Sequence, residues 1–210
     1  DSISSVLPYF AHDAARVAIE GSTLSYLSEL RKVVTLFIEL IGLEVDFEKG
    51  EVRRPQRAMK HILACMNRFG GSLRQYVVDD KGCVVIIAFG LPGSSHEDNC
   101  SRAVETAVAV RKNLQNIGVE CKQGIAEGKV YCGLVGTADR CEYAMMGASV
   151  NLAARLMASC LPGQVLVSES VYLSAQAAFI FTSTSRVVAK GYSAPVAVYR
   201  PTERAYGNVL

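Results

Sequence analysis

Residues 32–41, KVVTLFIELI, are β-branched and apolar on both faces of an extended chain. A run of this kind reads as a central strand covered on two sides. Around it the pattern changes repeatedly. GLEVDFEKGEVRRP, 42–55, is charged, carries two glycines and ends at Pro55, which predicts a loop. From Gln56 to Arg68, Met59, Ile62, Leu63 and Met66 recur at helical spacing until Gly70-Gly71 stops them.

SLRQYVV and CVVIIAF predict two strands joined through Asp79, Asp80, Lys81 and Gly82. Two acids beside a lysine can hold a metal and a phosphate. Between two apolar runs they read instead as the polar tip of a hairpin, with Gly82 supplying the permissive backbone of a tight reversal. HEDNCSRAVETAVAVRKNLQNIG follows as a helix, with Ala103, Val104, Ala107, Val108, Val110 and Leu114 on its inward stripe and Arg111-Lys112 toward its end. VECKQGIAEGKVYCGLVG, 119–136, predicts a second hairpin turning near Glu127-Gly128. EYAMM leads as a short strand into the helix VNLAARLMASC, with Ser149 as its N-cap and Leu161-Pro162-Gly163 closing it. QVLVS, a short helix SVYLSAQ, FIFTSTSRVV and PVAVYR complete the chain.

The core order is strand, helix, strand, strand, helix, strand. That order predicts an α+β fold, a ferredoxin-like sandwich with helices on one face of a largely antiparallel sheet. Residues 1–30 read as an N-terminal helical arm, 31–201 as the main domain and 202–210 as a tail.

Composition narrows the function classes. Half of the residues are apolar, 22 Lys and Arg stand against 20 Asp and Glu, and the formal net charge of +2 offers no dedicated nucleic-acid surface. Single-stranded RNA binding by a fold of this order needs exposed aromatics on the KGCVVIIAF strand, and Cys83 and Val85 stand where the rings belong. The seven cysteines are scattered with no CxxC pair, as expected of reduced thiols in a cytoplasmic protein. No run approaches the roughly 18 apolar residues of a membrane span, and DSISSVLPYF lacks the features of a signal peptide. A start without Met reads as a piece of something longer.

Chemistry concentrates in EYAMMGASVNLAARLM, 142–157. Asn151 and Arg155 are four apart on a helix, so their side chains share a face. Arg presents a planar fork of donors suited to phosphate, and Asn can orient a sugar oxygen. The structural alternative has Arg155 pairing with a surface carboxylate and Asn151 merely capping.

EYAMMGASVNLAAR, with GKVYCGLVGTADR ahead of it and KGYSAPVAVYR behind, resembles the catalytic domain of class III nucleotidyl cyclases. It is most similar to the second catalytic domain of soluble-type adenylyl cyclases. VVDDKGCVVIIAFGLPG with the following HED, and the approach ELRKVVTLFIEL, fit the same domain, so the resemblance spans roughly residues 29 to 200 in the expected order. It implies a nucleotide cyclase fold and a reaction in which the ribose 3′-hydroxyl of ATP attacks the α-phosphate, giving cyclic AMP and pyrophosphate. In the family two domains pair head to tail, in one chain or two, with the active site between them.

The resemblance assigns Asn151 to orienting the ribose and Arg155 to the charge that grows on the α-phosphate. It assigns Lys190 to the β- and γ-phosphates, and Gln75, Ala144 and Met145 to the face of the base. Two positions depart from the family. Glu39 stands where a Phe-x-Asp-Ile pattern keeps the first metal aspartate, and Cys83 where a Gly-Asp pair keeps the second. A thiol is a poor ligand for Mg²⁺, and a longer acid disturbs its octahedral geometry. The expected function is therefore the substrate-side half of a two-domain adenylyl cyclase, with Mg²⁺ or Mn²⁺ held by the partner domain's aspartates. The alternative is a non-catalytic, cyclase-like regulatory or nucleotide-binding module.

Overall fold

The computed structural model describes residues 28–43, 53–79, 82–136, 141–183, 186–187 and 195–205. They form, in order, β1 (Glu29–Ile41), α1 (Arg53–Arg68), β2 (Ser72–Asp79), β3 (Gly82–Phe89), α2 (Asn99–Gln115), β4 (Glu120–Gly136), β5 (Cys141–Met146), α3 (Ala148–Ala158), β6 (Val165–Ser168), α4 (Glu169–Ala175), β7 (Phe179–Ser183) and β8 (Val198–Arg204). The sheet order is β2-β3-β1-β4-β6-β8-β7, with β5 pairing to β4. Only β4 and β6 among these pairs run parallel. Most of the expected arm and tail lies outside the described residues, while β1 and β8 reach just beyond the 31–201 span.

The two-sided apolarity of β1 has a direct cause. Val34, Leu36, Ile38 and Leu40 face one side and enter a core with Ala58, Ile62 and Met66 of α1, Ala103, Val104, Ala107, Val110 and Leu114 of α2, and Val171 and Ala175 of α4. Phe37 faces the other side, against the cluster formed by Leu152, Ala153 and Leu156 of α3. Helices therefore cover both faces of the sheet, not one. Each fully buried aliphatic side chain in these layers contributes about 1.5–3 kcal/mol.

A second correction concerns 119–136. No reversal occurs at Glu127-Gly128: β4 runs unbroken through both residues, paired with β1 from Cys132↔Glu29 to Glu120↔Ile41. The chain turns back only after Gly136, and β5 pairs antiparallel from Gly136↔Cys141 to Tyr131↔Met146. The glycines of this strand serve close packing. A Cβ on Gly124 would lie 2.2 Å from the Ala153 carbonyl oxygen and 2.3 Å from the Met157 amide nitrogen, and one on Gly128 would lie 2.7 Å from Ser149 Cβ. With Ala126 between them, these residues form a shallow seat into which α3 sinks.

Smaller differences follow from local chemistry. Helix α1 begins at Arg53, with Pro55 in its first turn, where its missing N–H leaves no bond unmade. The N-cap of α3 is Gly147 rather than Ser149, which lies buried in the first turn. Gly163 closes the α3–β6 turn with φ +75° and donates its N–H to the Cys121 carbonyl at 2.8 Å. The β2–β3 hairpin forms as expected, with Asp79 paired to Gly82.

Six cysteines, 65, 83, 100, 121, 132 and 160, are free and buried. Burial pushes all of their thiols up, Cys160 to about 11 and Cys100 and Cys121 to about 12. They pack as small apolar groups. No helix among the described residues is long and apolar enough to cross a membrane.

Candidate active site

The seat on β4 fixes the helix that carries Asn151 and Arg155. Leu152, Ala153 and Leu156 point down into the sheet with Ala126, Leu166 and Val198. Asn151 is thereby exposed and Arg155 half-buried, one turn further on. Neither side chain has a hydrogen-bond or ion-pair partner among the described residues. The capping role for Asn151 fails for the same reason: the helix starts three residues earlier, at Ala148. An Arg with its fork of donors unoccupied beside an Asn amide can receive an anionic, oxygen-rich group. Lys190 lies outside the described residues.

Val150, in the first turn of α3, lines a pocket of about 140 Å³ together with Arg74, Gln75, Ile86, Glu142, Ala144 and Met145. The three residues expected at the base are thus brought to one cavity. Ile86, Ala144, Met145 and Val150 give it an apolar lining, and Arg74, Gln75 and Glu142 are its polar residues. A complete ligand site usually encloses about 300–1,000 Å³. This pocket has the size of half a site.

Arg74 and Glu142 bring to the pocket charged groups that the sequence does not single out. The β2–β3 register shifts between Leu73↔Ile87 and Gln75↔Ile86, so Arg74 is the extra residue of a β-bulge. Its Nη2–H donates to the Tyr143 carbonyl, and its guanidinium carbon lies 5.5 Å from the centre of the Tyr143 ring. Burial lowers its proton affinity from the ordinary arginine value. Arg remains charged even so.

The opposite corner of the sheet is different. Glu39 pairs across the strands with Val84, whereas Cys83 pairs with Leu40. Directly opposed residues share a face, so Glu39 and Cys83 point to opposite sides of the sheet. Cys83 is 1 % exposed, belongs to the core shared with α1 and α2, and its thiol is pushed up by burial. On the α3 side, Lys122 Nζ stands 3.3 Å from both carboxylate oxygens of Glu39. An ammonium holds the carboxylate that a cation would need. Among the described residues no group of three or more His, Cys, Asp or Glu could hold a metal ion. A divalent metal does not fit this corner.

The structure is thus a mixed sheet with α3 recessed over β4, carrying Asn151 and Arg155 next to Val150, which lines the pocket. The chain matches the model of the adenylate and guanylate cyclase catalytic domain over residues 25–200 and belongs to that family. Within it, the chain is similar to adenylate cyclase type 10 of Rattus norvegicus, 34% identical over 184 residues that cover 83% of this chain and 11% of that protein. Against adenylate cyclase type 10 of Homo sapiens it is 34% identical over 175 residues, covering 79% of this chain and 10% of that protein. The chain thus spans about a tenth of the length of these relatives. Among solved structures, the adenylyl cyclase CyaB from P. aeruginosa shares the fold with a TM-score of 0.75 at 22% identity, over 84% of this chain and 96% of that one. A bacterial light-regulated adenylyl cyclase superposes with a TM-score of 0.77 at 19% identity, over 97% of this chain and 61% of the other.

Proposed function

We propose that this domain is the substrate-side half of a two-domain adenylyl cyclase. It converts ATP to cyclic AMP and pyrophosphate when a partner cyclase domain, in the same chain or another, pairs with it head to tail and brings both metal-binding aspartates. The observation that carries this reading is the unequal state of the two halves of the site. Asn151 and Arg155 stand without side-chain partners among the described residues on a helix seated in the sheet, while Glu39 is paired with Lys122 and Cys83 faces the core.

The chemistry follows from those groups. The ribose 3′-oxygen bonds to the α-phosphorus, the bond from that phosphorus to the bridging oxygen breaks, and pyrophosphate leaves. Such a transfer needs positioning and charge stabilisation rather than a covalent nucleophile. Asn151 orients the ribose, and the Arg155 fork meets the charge that develops on the α-phosphate oxygens. Lys190 holds the terminal phosphates, and Gln75, Ala144 and Met145 form the wall against the base. A Gln amide can donate to and accept from adenine together, and the similarity to adenylate cyclase type 10 at 34% identity supports ATP as the substrate. Mg²⁺ or Mn²⁺ comes with ATP on the partner's carboxylates. Buried free thiols suit the reducing cytoplasm.

The Glu39–Lys122 pair also supports a second reading, a cyclase-like regulatory or nucleotide-binding module without turnover. Complementation separates the two. The purified chain alone should form no cyclic AMP from Mg-ATP, and mixing it with a cyclase domain that carries both metal aspartates but lacks the Asn-Arg helix pair should restore formation. Robust activity of the chain alone overturns the proposal. Silence in every mixture, with ATP still bound, establishes the second reading.

A further inference from the structure

Two nitrogens of Arg74, Nε and Nη1, are buried with no hydrogen-bond partner among the described residues. Arg is donor-only, so each is an unmet N–H. A buried donor left unpaired carries a penalty of about 1–3 kcal/mol, which makes such groups uncommon in folded proteins unless something external completes them. Here the fold goes out of its way to create the situation. The bulge at Arg74 interrupts the β2–β3 ladder and brings consecutive residues, Arg74 and Gln75, to the same cavity, although strand alternation would send them to opposite faces. The Tyr143 carbonyl takes Nη2–H and the Tyr143 ring lies against the guanidinium, so the fork is held from one side while its other donors stay free.

We propose that Arg74 is a specificity-determining residue of this pocket, whose Nε–H and Nη1–H donors receive a hydrogen-bond acceptor on the edge of a purine base. The inference rests on the reading of the pocket as the base site. The lining supports a planar heterocycle over a phosphate: Ile86, Ala144, Met145 and Val150 are apolar, and Glu142, an acid, is among the lining residues, which disfavours an anion. A purine offers ring-nitrogen acceptors to the fork and, in adenine, an exocyclic amine to Glu142 or Gln75. Both nitrogens are buried, so an acceptor that reaches them on binding relieves an existing deficit. Such a contact discriminates strongly, because a base without the acceptor leaves the donors unmet.

The ¹⁵N-labelled chain is titrated with ATP and separately with ribose 5′-triphosphate, followed by the Arg74 Nε–H resonance and the backbone amides of Ala144, Met145 and Asn151. The expected result is that ATP moves the Arg74, Ala144 and Met145 signals, whereas the baseless triphosphate moves none of the three. In parallel, 1-, 3- and 7-deaza-ATP are compared on the native chain and on Arg74→Met, which keeps an apolar stem against Tyr143. At least one analogue should bind about ten-fold more weakly than ATP to the native chain and within about two-fold of ATP to the variant. If ATP moves Ala144 and Met145 but leaves Arg74 Nε–H in place, or if both proteins discriminate alike, the role of Arg74 is overturned and the base pocket stands. If ATP moves only Asn151, or nothing, the base pocket falls and Arg74 with it. A shift of Arg74 Nε–H produced by a partner cyclase domain without nucleotide also overturns the proposal, since the acceptor is then a protein group.

Discussion

Helix α3 and the β1–β3 strand pair sit on one sheet, and they have been treated differently. At α3, Gly124 and Gly128 are held small so that the helix backbone can descend onto β4, and that close fit fixes the placement of two side chains, Asn151 and Arg155, that have no partner among the described residues. At the strand pair, ordinary stabilising contacts have absorbed the residues at the expected metal positions: Glu39 in an ion pair, Cys83 in the core. A strand ladder makes this conversion easy. It requires no change of register or backbone, only side chains that satisfy each other or the core, whereas dismantling α3 would leave a glycine-lined trough in the sheet. Among the described residues, the packing of this corner rests on the Glu39–Lys122 pair and the apolar core.

The largest test of this contrast is Cys83→Asp. If the Cys83 side chain faces the core, the substitution buries an unpaired carboxyl and should lower stability by about 3–5 kcal/mol, measured by urea unfolding. Adding Glu39→Asp should still yield no Mn²⁺ site. A stable double variant that binds Mn²⁺ would show that the two positions converge after all.

The seat of α3 gives the next effect. Gly124→Ala places a methyl against main-chain atoms of α3 that cannot swing aside, and should cost about 1–3 kcal/mol of stability while lowering turnover in a reconstituted pair. Unchanged stability would mean that the helix is free to ride higher. Lys122→Met should be the mildest change, under about 1 kcal/mol, because the Glu39–Lys122 pair is only partly buried. Calorimetric titration of that variant with Mn²⁺ should show no uptake, since one carboxylate without a second ligand is a weak site. Tight binding would identify Lys122 as the sole obstacle to metal.

Much of the framework was legible in the residues. β1 could be placed at the centre from its two apolar faces, and the stripes of α1 and α2 from their spacing. A separation of four puts Asn151 and Arg155 on one helix face, and only the resemblance to class III cyclases assigns them to a site. What escaped was set by long-range geometry. Glycine marks a turn and a close helix contact with the same letter, so in sequence Gly128 reads as a hairpin tip although α3 packs against it. Alternation assigns Arg74 and Gln75 to opposite faces, and only the bulge reunites them. Lys122 lies 83 residues from Glu39 and meets it through the β1–β4 register alone. The opposite facing of Glu39 and Cys83 likewise emerges only once Leu40, not Glu39, is found opposite Cys83.

The asymmetry between the two regions is tested most directly by comparing Arg155→Ala with Glu39→Gln in the same reconstituted pair, with cyclic AMP formation and ATP affinity both measured. Arg155→Ala should reduce turnover by about 10²–10³ with a much smaller effect on affinity, as expected for a group that acts on charge developing in the transition state. Glu39→Gln should leave turnover within about two-fold, because on this account a carboxylate paired with Lys122 touches neither substrate nor metal. Equal and large losses for both variants would contradict the account and return Glu39 to the reaction.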